Sequence, residues 1–229
     1  MIICCIVSVV TAYLLGSIAT AVFVGKWFYG VDVRTVGSHN AGTTNVIRVL
    51  GTKPGIVVFA VDVLKGSASV LMMNLYCRLF DVVLPDFLPV AVVVATVLGH
   101  VYPVFAGFKG GKGVATLLGV GLALFPAATL SAFGVFVVVL CLSHYVSVGS
   151  MLAGLSFPFW VFFAFPEQNV YLQVLAICVA VFMPIVHLKN IKRLIKKEEN
   201  KENKKEENEE KNTKLKNYID RYMTKAENR

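Results

Sequence analysis

Charged residues are scarce in this sequence: Asp, Glu, Lys and Arg make up 16% of its 229 residues, where an ordinary globular chain carries about 25%. With 56% hydrophobic residues and a mean hydropathy of +0.69, water is not its main solvent. Strict apolar/polar alternation is missing too, which excludes a closed β-barrel. The five cysteines (Cys4, Cys5, Cys77, Cys141, Cys178) are odd in number, lie in or beside apolar segments and lack zinc-ligand spacing, so they are expected as small buried hydrophobes. No Gly-x-Ser-x-Gly elbow and no His-x-x-x-x-Asp pair occurs, and neither His100 nor His144 has a sequence-adjacent acid. These gaps exclude a Ser-His-Asp hydrolase.

What is present is a series of apolar blocks near the length a helix needs to cross about 30 Å of hydrocarbon. They run over residues 2–24, 54–80, 87–106, 114–128, 131–146, 149–165 and 170–187, with Pro126 interrupting the 114–146 stretch. Three are short, which calls for shielding by neighbouring helices or a locally thin bilayer. The triplet Ala19-Thr20-Ala21 resembles a signal-peptide cleavage site, but Met1 to Cys5 carry no positive n-region while Lys26 and Arg34 follow the block. A retained helix is therefore expected. The fold class expected is an all-α polytopic membrane bundle of about seven transmembrane helices, N-terminus outside and C-terminus cytoplasmic.

The orientation follows from charge. Threading from an outside N-terminus puts Lys26, Arg34, Arg48, Lys53, Lys109, Lys112, Lys189, Lys192 and Arg193 on one side against the lone acid Asp32. The opposite connections hold Arg78, Asp81, Asp86 and Glu167, so the positive side is the cytoplasmic one. The net charge of +8 is thus read as membrane orientation; no nucleic acid is expected as a partner, and the lipid bilayer is. Two regions result: a membrane-embedded domain over 1–195 and a charged cytoplasmic tail over 196–229. Within the tail, 196–212 is a Lys/Glu/Asn linker, and Leu215, Tyr218, Ile219, Tyr222 and Met223 recur at the spacing of a surface helix on anionic lipid.

Four polar clusters fall on the positive side: Gly37 to Asn45 with Arg48, Phe108 to Gly113, Ser147 to Ser150, and His187 to Asn190. They are rich in Gly, Ser, Thr and Asn and free of acids, the composition of a shared anion site. Lys109-Gly110-Gly111-Lys112-Gly113 opens an apolar helix, where glycines let successive amides face one phosphate and the helix dipole adds positive potential. It lacks the spacing and the Ser/Thr of a Walker A loop, so nucleotide hydrolysis is not implied. In the first cluster Ser38, Asn40, Thr43 and Thr44 supply donors, and Arg48 offers a planar fork. Asp62 and Lys65 lie three residues apart inside an apolar block, where they either neutralise each other or take a direct part in the site.

At these residues the sequence resembles the bacterial integral-membrane acyl-phosphate:glycerol-3-phosphate acyltransferases. The matching segments are Gly37-Ser38-x-Asn40-x-Gly42-x-Thr44-Asn45-x-x-Arg48, Asp62-x-x-Lys65-Gly66, Gly99-His100-x-Tyr102-Pro103, Phe108 to Thr116, Tyr145-Val146-Ser147-Val148-x-Ser150, and His187-x-x-Asn190-Ile191-x-Arg193-Leu194. They span residues 1 to about 198 in the family's order. Three positions depart from the pattern: His39 stands for a glycine, His144 for an arginine, and Leu188 for a basic residue. The resemblance implies acyl transfer from acyl phosphate to the terminal (sn-1) hydroxyl of glycerol 3-phosphate, giving lysophosphatidic acid and phosphate, at the cytoplasmic face of the bacterial inner (plasma) membrane, with no cofactor and no metal. It implies catalytic roles for Ser38, Arg48, Lys109, Ser147, His187 and Asn190. Substrate binding is assigned to Asn40, Thr44, Asn45, Lys65, Gly110, Gly111, Lys112 and Gly113. The rival expectation is a transporter for a phosphorylated organic anion, favoured only by Asp62, Lys65 and His100, since no inverted repeat is present.

Overall fold

A computed structural model describes residues 1–195; the expected linker over 196–212, the expected surface helix from Leu215 to Met223, and thus the whole proposed tail domain lie outside the described residues. Among the described residues, every regular element is helical. In chain order these are α1 (Ile2–Gly16), α2 (Thr20–Tyr29), α3 (Thr43–Leu50), α4 (Thr52–Leu79), α5 (Leu88–Val101), α6 (Val114–Leu124), α7 (Pro126–Ser143), α8 (Val146–Phe159), α9 (Val170–Val186) and α10 (Leu188–Ile195). One compact unit covers Met1–Ile185 and a second begins at Val186.

Five segments are long and apolar enough to cross a membrane: Ile2–Tyr29, Thr52–Leu79, Leu88–Ala106, Pro126–Ser143 and Val146–Ala164; α9 with α10 makes a sixth candidate. The remaining apolar block is α6. Its 11 residues rise about 16 Å at 1.5 Å per residue, roughly half the hydrocarbon thickness. None of them is exposed, which settles the short block in favour of shielding by neighbours. The expected boundary in this stretch is corrected. Helix α6 ends before Phe125, and α7 starts at Pro126, where a missing amide hydrogen costs nothing because first-turn donors have no intrahelical partner. Later in the chain, Pro158 lies inside α8, which passes into a π turn over Trp160–Ala164. There the proline ring's lost hydrogen bond is accommodated by a wider turn.

The first span is broken at residues 17–19, where the Ile18 carbonyl leaves the helical ladder. Helix α4 runs antiparallel to this span, with Cys4 Sγ 3.5 Å from Cys77 Sγ at one end, and Lys65 Nζ donating to the Ile18 carbonyl at 2.8 Å further along. Small residues set the remaining crossings. Gly16 lies against the Thr96 backbone, Gly99 against the Tyr13 carbonyl, Gly66 against the Thr116 carbonyl and Gly119 against the Val63 carbonyl. In an apolar solvent this close backbone approach, not water exclusion, supplies the packing energy. Thr96 Oγ1 adds a buried bond to Ser69 Oγ at 2.9 Å.

Hairpin pairing carries the chain back and forth: Gly121 meets Thr129 across α6 and α7, Gly149 meets Phe136 across α7 and α8, and Gly154 meets Met183 across α8 and α9. The connections at 30–42, 102–113 and 144–145 therefore share one end of the bundle. At the other, Asn169 Nδ2 donates to the Asp86 carbonyl at 3.1 Å, joining the two acidic connections. A methyl group on Gly99 would strike backbone on α1, so Gly99→Ala is expected to lower stability by about 1–3 kcal/mol through overpacking. Gly134→Ala, whose added methyl would meet nothing within 4 Å beyond its own helix, is expected to be neutral or stabilising, as read by thermal unfolding of the two variants in detergent.

Candidate functional site

The first polar loop is built around one buried carboxamide. Asn45, in the first turn of α3, donates from Nδ2 to the carbonyls of Val33 (2.7 Å) and Val36 (3.2 Å). Its Oδ1 accepts from the Ser38 amide (2.8 Å) and the Ser38 hydroxyl (3.1 Å). Two donors and two lone pairs are thereby used, and the Asn45 side chain sets the position of Ser38. Gly37 adopts φ +62°, and a Cβ there would collide with that same carboxamide and with Val49. His39 is left-handed as well, at φ +57°, the conformation for which the glycine of the family pattern is suited. Arg48 is half-buried in the last turn of α3, Asn40 is half-buried in the loop and Thr44 is exposed.

The second loop leaves α5 through Pro103 and a single 3-10 turn over Val104–Ala106. Gly107 and Phe108 then take φ +66° and +58°, which reverses the chain and presents Lys109 at the surface. The Phe108 amide donates to the Pro103 carbonyl at 2.9 Å, the Gly110 amide to Val101 at 3.0 Å and the Gly111 amide to His100 at 3.2 Å. The Gly110 and Gly111 amides are therefore engaged in backbone bonds. What their missing side chains do is permit contact: a Cβ on Gly110 would meet the His100 and Val101 carbonyls, and one on Gly111 would meet the His100 ring and the Ala41 carbonyl. Gly113, at φ +78°, turns the chain into α6, whose first-turn amides from Val114 to Thr116 have no partner within the helix. Those donors, with Lys112 beside them, are the ones that fit an anion.

The two loops are joined directly. Arg34 grips Asp32 through Nε–Oδ1 (2.9 Å) and Nη2–Oδ2 (2.8 Å). Its Nη1 donates across to the carbonyls of Ala106 (2.6 Å) and Lys109 (3.1 Å). Hydrogen bonding from the Arg34 guanidinium holds the Asp32 carboxyl well below the usual carboxylate range, against the opposing effect of partial burial. Since the folded value is the depressed one, the stability this pair adds is complete above the ordinary value of 3.8 and is lost only as pH falls through the lower folded value. The brace is thus intact at any neutral pH.

Beneath the loops lies a buried polar network. Lys65 Nζ pairs with Asp62 Oδ1 at 2.9 Å and donates to the Ile18 carbonyl, while Thr20 Oγ1 donates to Asp62 Oδ1 at 3.1 Å. Of the two alternatives for Asp62 and Lys65, the geometry shows the mutual pairing, and Lys65 also reaches the helix break through the Ile18 carbonyl. His100 Nδ1 stands 3.1 Å from Thr116 Oγ1 and 3.9 Å from Asp62 Oδ1, so the acid that sequence adjacency did not supply arrives from α4. The sequence signal for Arg34 is weak, a lone acid two residues before an arginine, whereas His100 stands inside an apolar block and in the matching segment Gly99-His100-x-Tyr102-Pro103.

Ser147 is buried in the first turn of α8, at the same end of the bundle as the two loops. His187 and Asn190 belong to the second unit. There the His187 carbonyl accepts from the Ile191 amide at 2.9 Å as α10 begins, and Asn190 follows one turn later beside Lys189 and Lys192.

Residues 6–197 match the glycerol-3-phosphate acyltransferase family. Glycerol-3-phosphate acyltransferase 2 of Bacillus anthracis is 41% identical over 195 residues, covering 85% of this chain and 97% of that protein. The crystal structure of PlsY (YgiH), an integral membrane glycerol 3-phosphate acyltransferase, in its glycerol 3-phosphate form is 41% identical with a TM-score of 0.73, covering 85% of this chain and 93% of that one. Its lysophosphatidic acid form gives 40% and 0.70 over the same shares. This chain belongs to the glycerol-3-phosphate acyltransferase family.

Proposed function

We propose that this membrane protein transfers an acyl group from acyl phosphate to the sn-1 hydroxyl of glycerol 3-phosphate, releasing lysophosphatidic acid and phosphate as a step of phospholipid synthesis. The observation that carries the proposal is the junction of two loops rich in Gly, Ser and Lys at one end of the bundle, made by Arg34 on the Ala106 and Lys109 carbonyls and by the approach of Gly111 to Ala41. Each loop supplies cationic or hydroxyl groups suited to a phosphorylated reactant, and their contact sets two such reactants side by side.

An acyl phosphate already carries a good leaving group, so no covalent enzyme intermediate is needed. Positioning the glycerol hydroxyl against the acyl carbonyl and stabilising charge supply the rate. Arg48 and Lys109 balance phosphate charge, and Ser38, Ser147, His187 and Asn190 donate to phosphate and hydroxyl oxygens. The α6 first-turn amides with Lys112 and Gly113 receive the donor phosphate, a task that Gly110 and Gly111 support by packing. Asn40 and Thr44 line the first loop. As the ester bond forms and the acyl–phosphate bond breaks, the hydroxyl proton passes to a substrate phosphate oxygen. The basic connections favour a cytoplasmic site with the N-terminus outside, with α6 as a seventh, protein-wrapped transmembrane segment and 1–195 as the catalytic domain ahead of a cytoplasmic tail. The Asp62, Lys65 and His100 groups that suggested a transporter are engaged with one another and with Ile18, Thr20 and Thr116, as a structural core would be.

Purified protein supplied with labelled glycerol 3-phosphate is expected to form lysophosphatidic acid with acyl phosphate and not with acyl-CoA; turnover with acyl-CoA alone would overturn the donor assignment. Arg48→Ala, Lys109→Ala and His187→Ala are each expected to stay folded and lose transfer by about 100-fold or more, the scale of a lost charge-stabilising donor. Full activity in all three would remove the site. In the first loop, Asn45→Asp sets carboxylate oxygen against the Val33 and Val36 carbonyls, and is expected to lower kcat/KM by at least about tenfold through the displaced Ser38.

A further inference from the structure

We infer that Arg34 is a positioning residue for the transfer reaction, acting through the main chain of Lys109 and not by touching either substrate. This rests on the assignment of Lys109 to phosphate made above. Arg34 carries five N–H donors, and four of its bonds are already made, two to Asp32 and two to the carbonyls of Ala106 and Lys109. Its other neighbour is Lys26, which reaches the same Asp32 carboxylate at 3.2 Å. A guanidinium so engaged is not placed to bind a phosphate.

Its bond to the Lys109 carbonyl acts on one particular peptide group. The peptide joining Lys109 to Gly110 is planar, with its C=O and N–H pointing opposite ways. Arg34 holds the oxygen at 3.1 Å, and the Val101 carbonyl holds the Gly110 N–H at 3.0 Å. Pinned at both edges, this plane fixes the direction in which the Lys109 side chain leaves the chain. The segment just before it needs such support. Gly107 and Phe108 are consecutive left-handed residues, and for the phenylalanine that conformation costs about 1–2 kcal/mol. Without the brace, the reversal that presents Lys109 is held by the Pro103, Val101 and His100 carbonyls, all from its own end of α5, and loses its tie to the first loop.

Asp32 completes the device. It fixes the rotamer of the guanidinium by a two-pronged grip, so that Nη1 faces the second loop. A lysine in place of Arg34 keeps the charge but has no planar fork, and it cannot hold Asp32 and two carbonyls together. Charge retention and geometry are therefore separable by substitution.

The test compares wild-type protein, Arg34→Gln and Arg34→Lys, each full-length in detergent, by two-substrate kinetics, thermal unfolding and hydrogen exchange of the peptide covering 103–113. Both variants are expected to lose kcat/KM by about 100-fold, the cost of an ångström-scale misplacement, with the loss mainly in kcat and with unfolding within about 3 °C of wild type. Exchange is expected to rise in 103–113 and to stay unchanged in α4 and α5. Wild-type kcat/KM in Arg34→Gln would overturn the inference. Recovery of activity in Arg34→Lys would also overturn it, by showing that charge alone matters, as would exchange that rises throughout the bundle. Should Arg34→Gln not fold, Arg34→Lys with the exchange measurement decides. Wild-type protein that is itself inactive with acyl phosphate, or a fully active Lys109→Ala, would instead refute the functional assignment on which the inference stands.

Discussion

A backbone in hydrocarbon has to satisfy its own polar groups, and at the interruption between α1 and α2 the Ile18 carbonyl leaves the helical ladder and takes the Thr20 amide two residues on, at 3.0 Å. The same carbonyl takes a second bond from Lys65, and an ammonium at that depth requires a counter-charge, which Asp62 provides from one turn earlier on α4. Thr20, from the restart of the broken helix, shares the same carboxylate oxygen. His100 lies near it and bonds to Thr116 at the base of α6. Because the His100 carbonyl also accepts the Gly111 amide, the need created by one helix break is transmitted through four helices to the loop that carries Lys109.

Much of this architecture is written in local pattern. Apolar blocks near twenty residues long mark the helices, since partition into lipid depends on summed side-chain character. Glycine and lysine at 109–113, and Ser, Asn and Thr at 38–45, mark the loops. The Phe125–Pro126 corner was displaced in the sequence reading because apolarity is continuous through it, and only the backbone geometry of the proline says which side the new helix takes.

What was not legible depends on distance along the chain. Arg34 meets Ala106 and Lys109 some seventy positions later, and Asp62 reaches His100 from another helix; no periodicity encodes such pairings. The glycines of the Lys109 loop belong here for a related reason: the sequence shows that they lack side chains, and only the fold shows that this admits close approach of the backbone to His100, Val101 and Ala41. Asn45 reads as one more donor in a polar loop, yet all of its capacity is spent inside that loop.

The brevity of α6 bears on what holds it in place. A segment of 11 residues falls well below the roughly 20 that settle in a bilayer on their own, and the single residue Phe125 ties it to α7. Its place is set by its neighbours: Gly121 meets Thr129 of α7, and the Thr116 carbonyl meets Gly66 of α4. The depth of the Lys109 loop ahead of it therefore depends on the packing of α6 against α4 and α7.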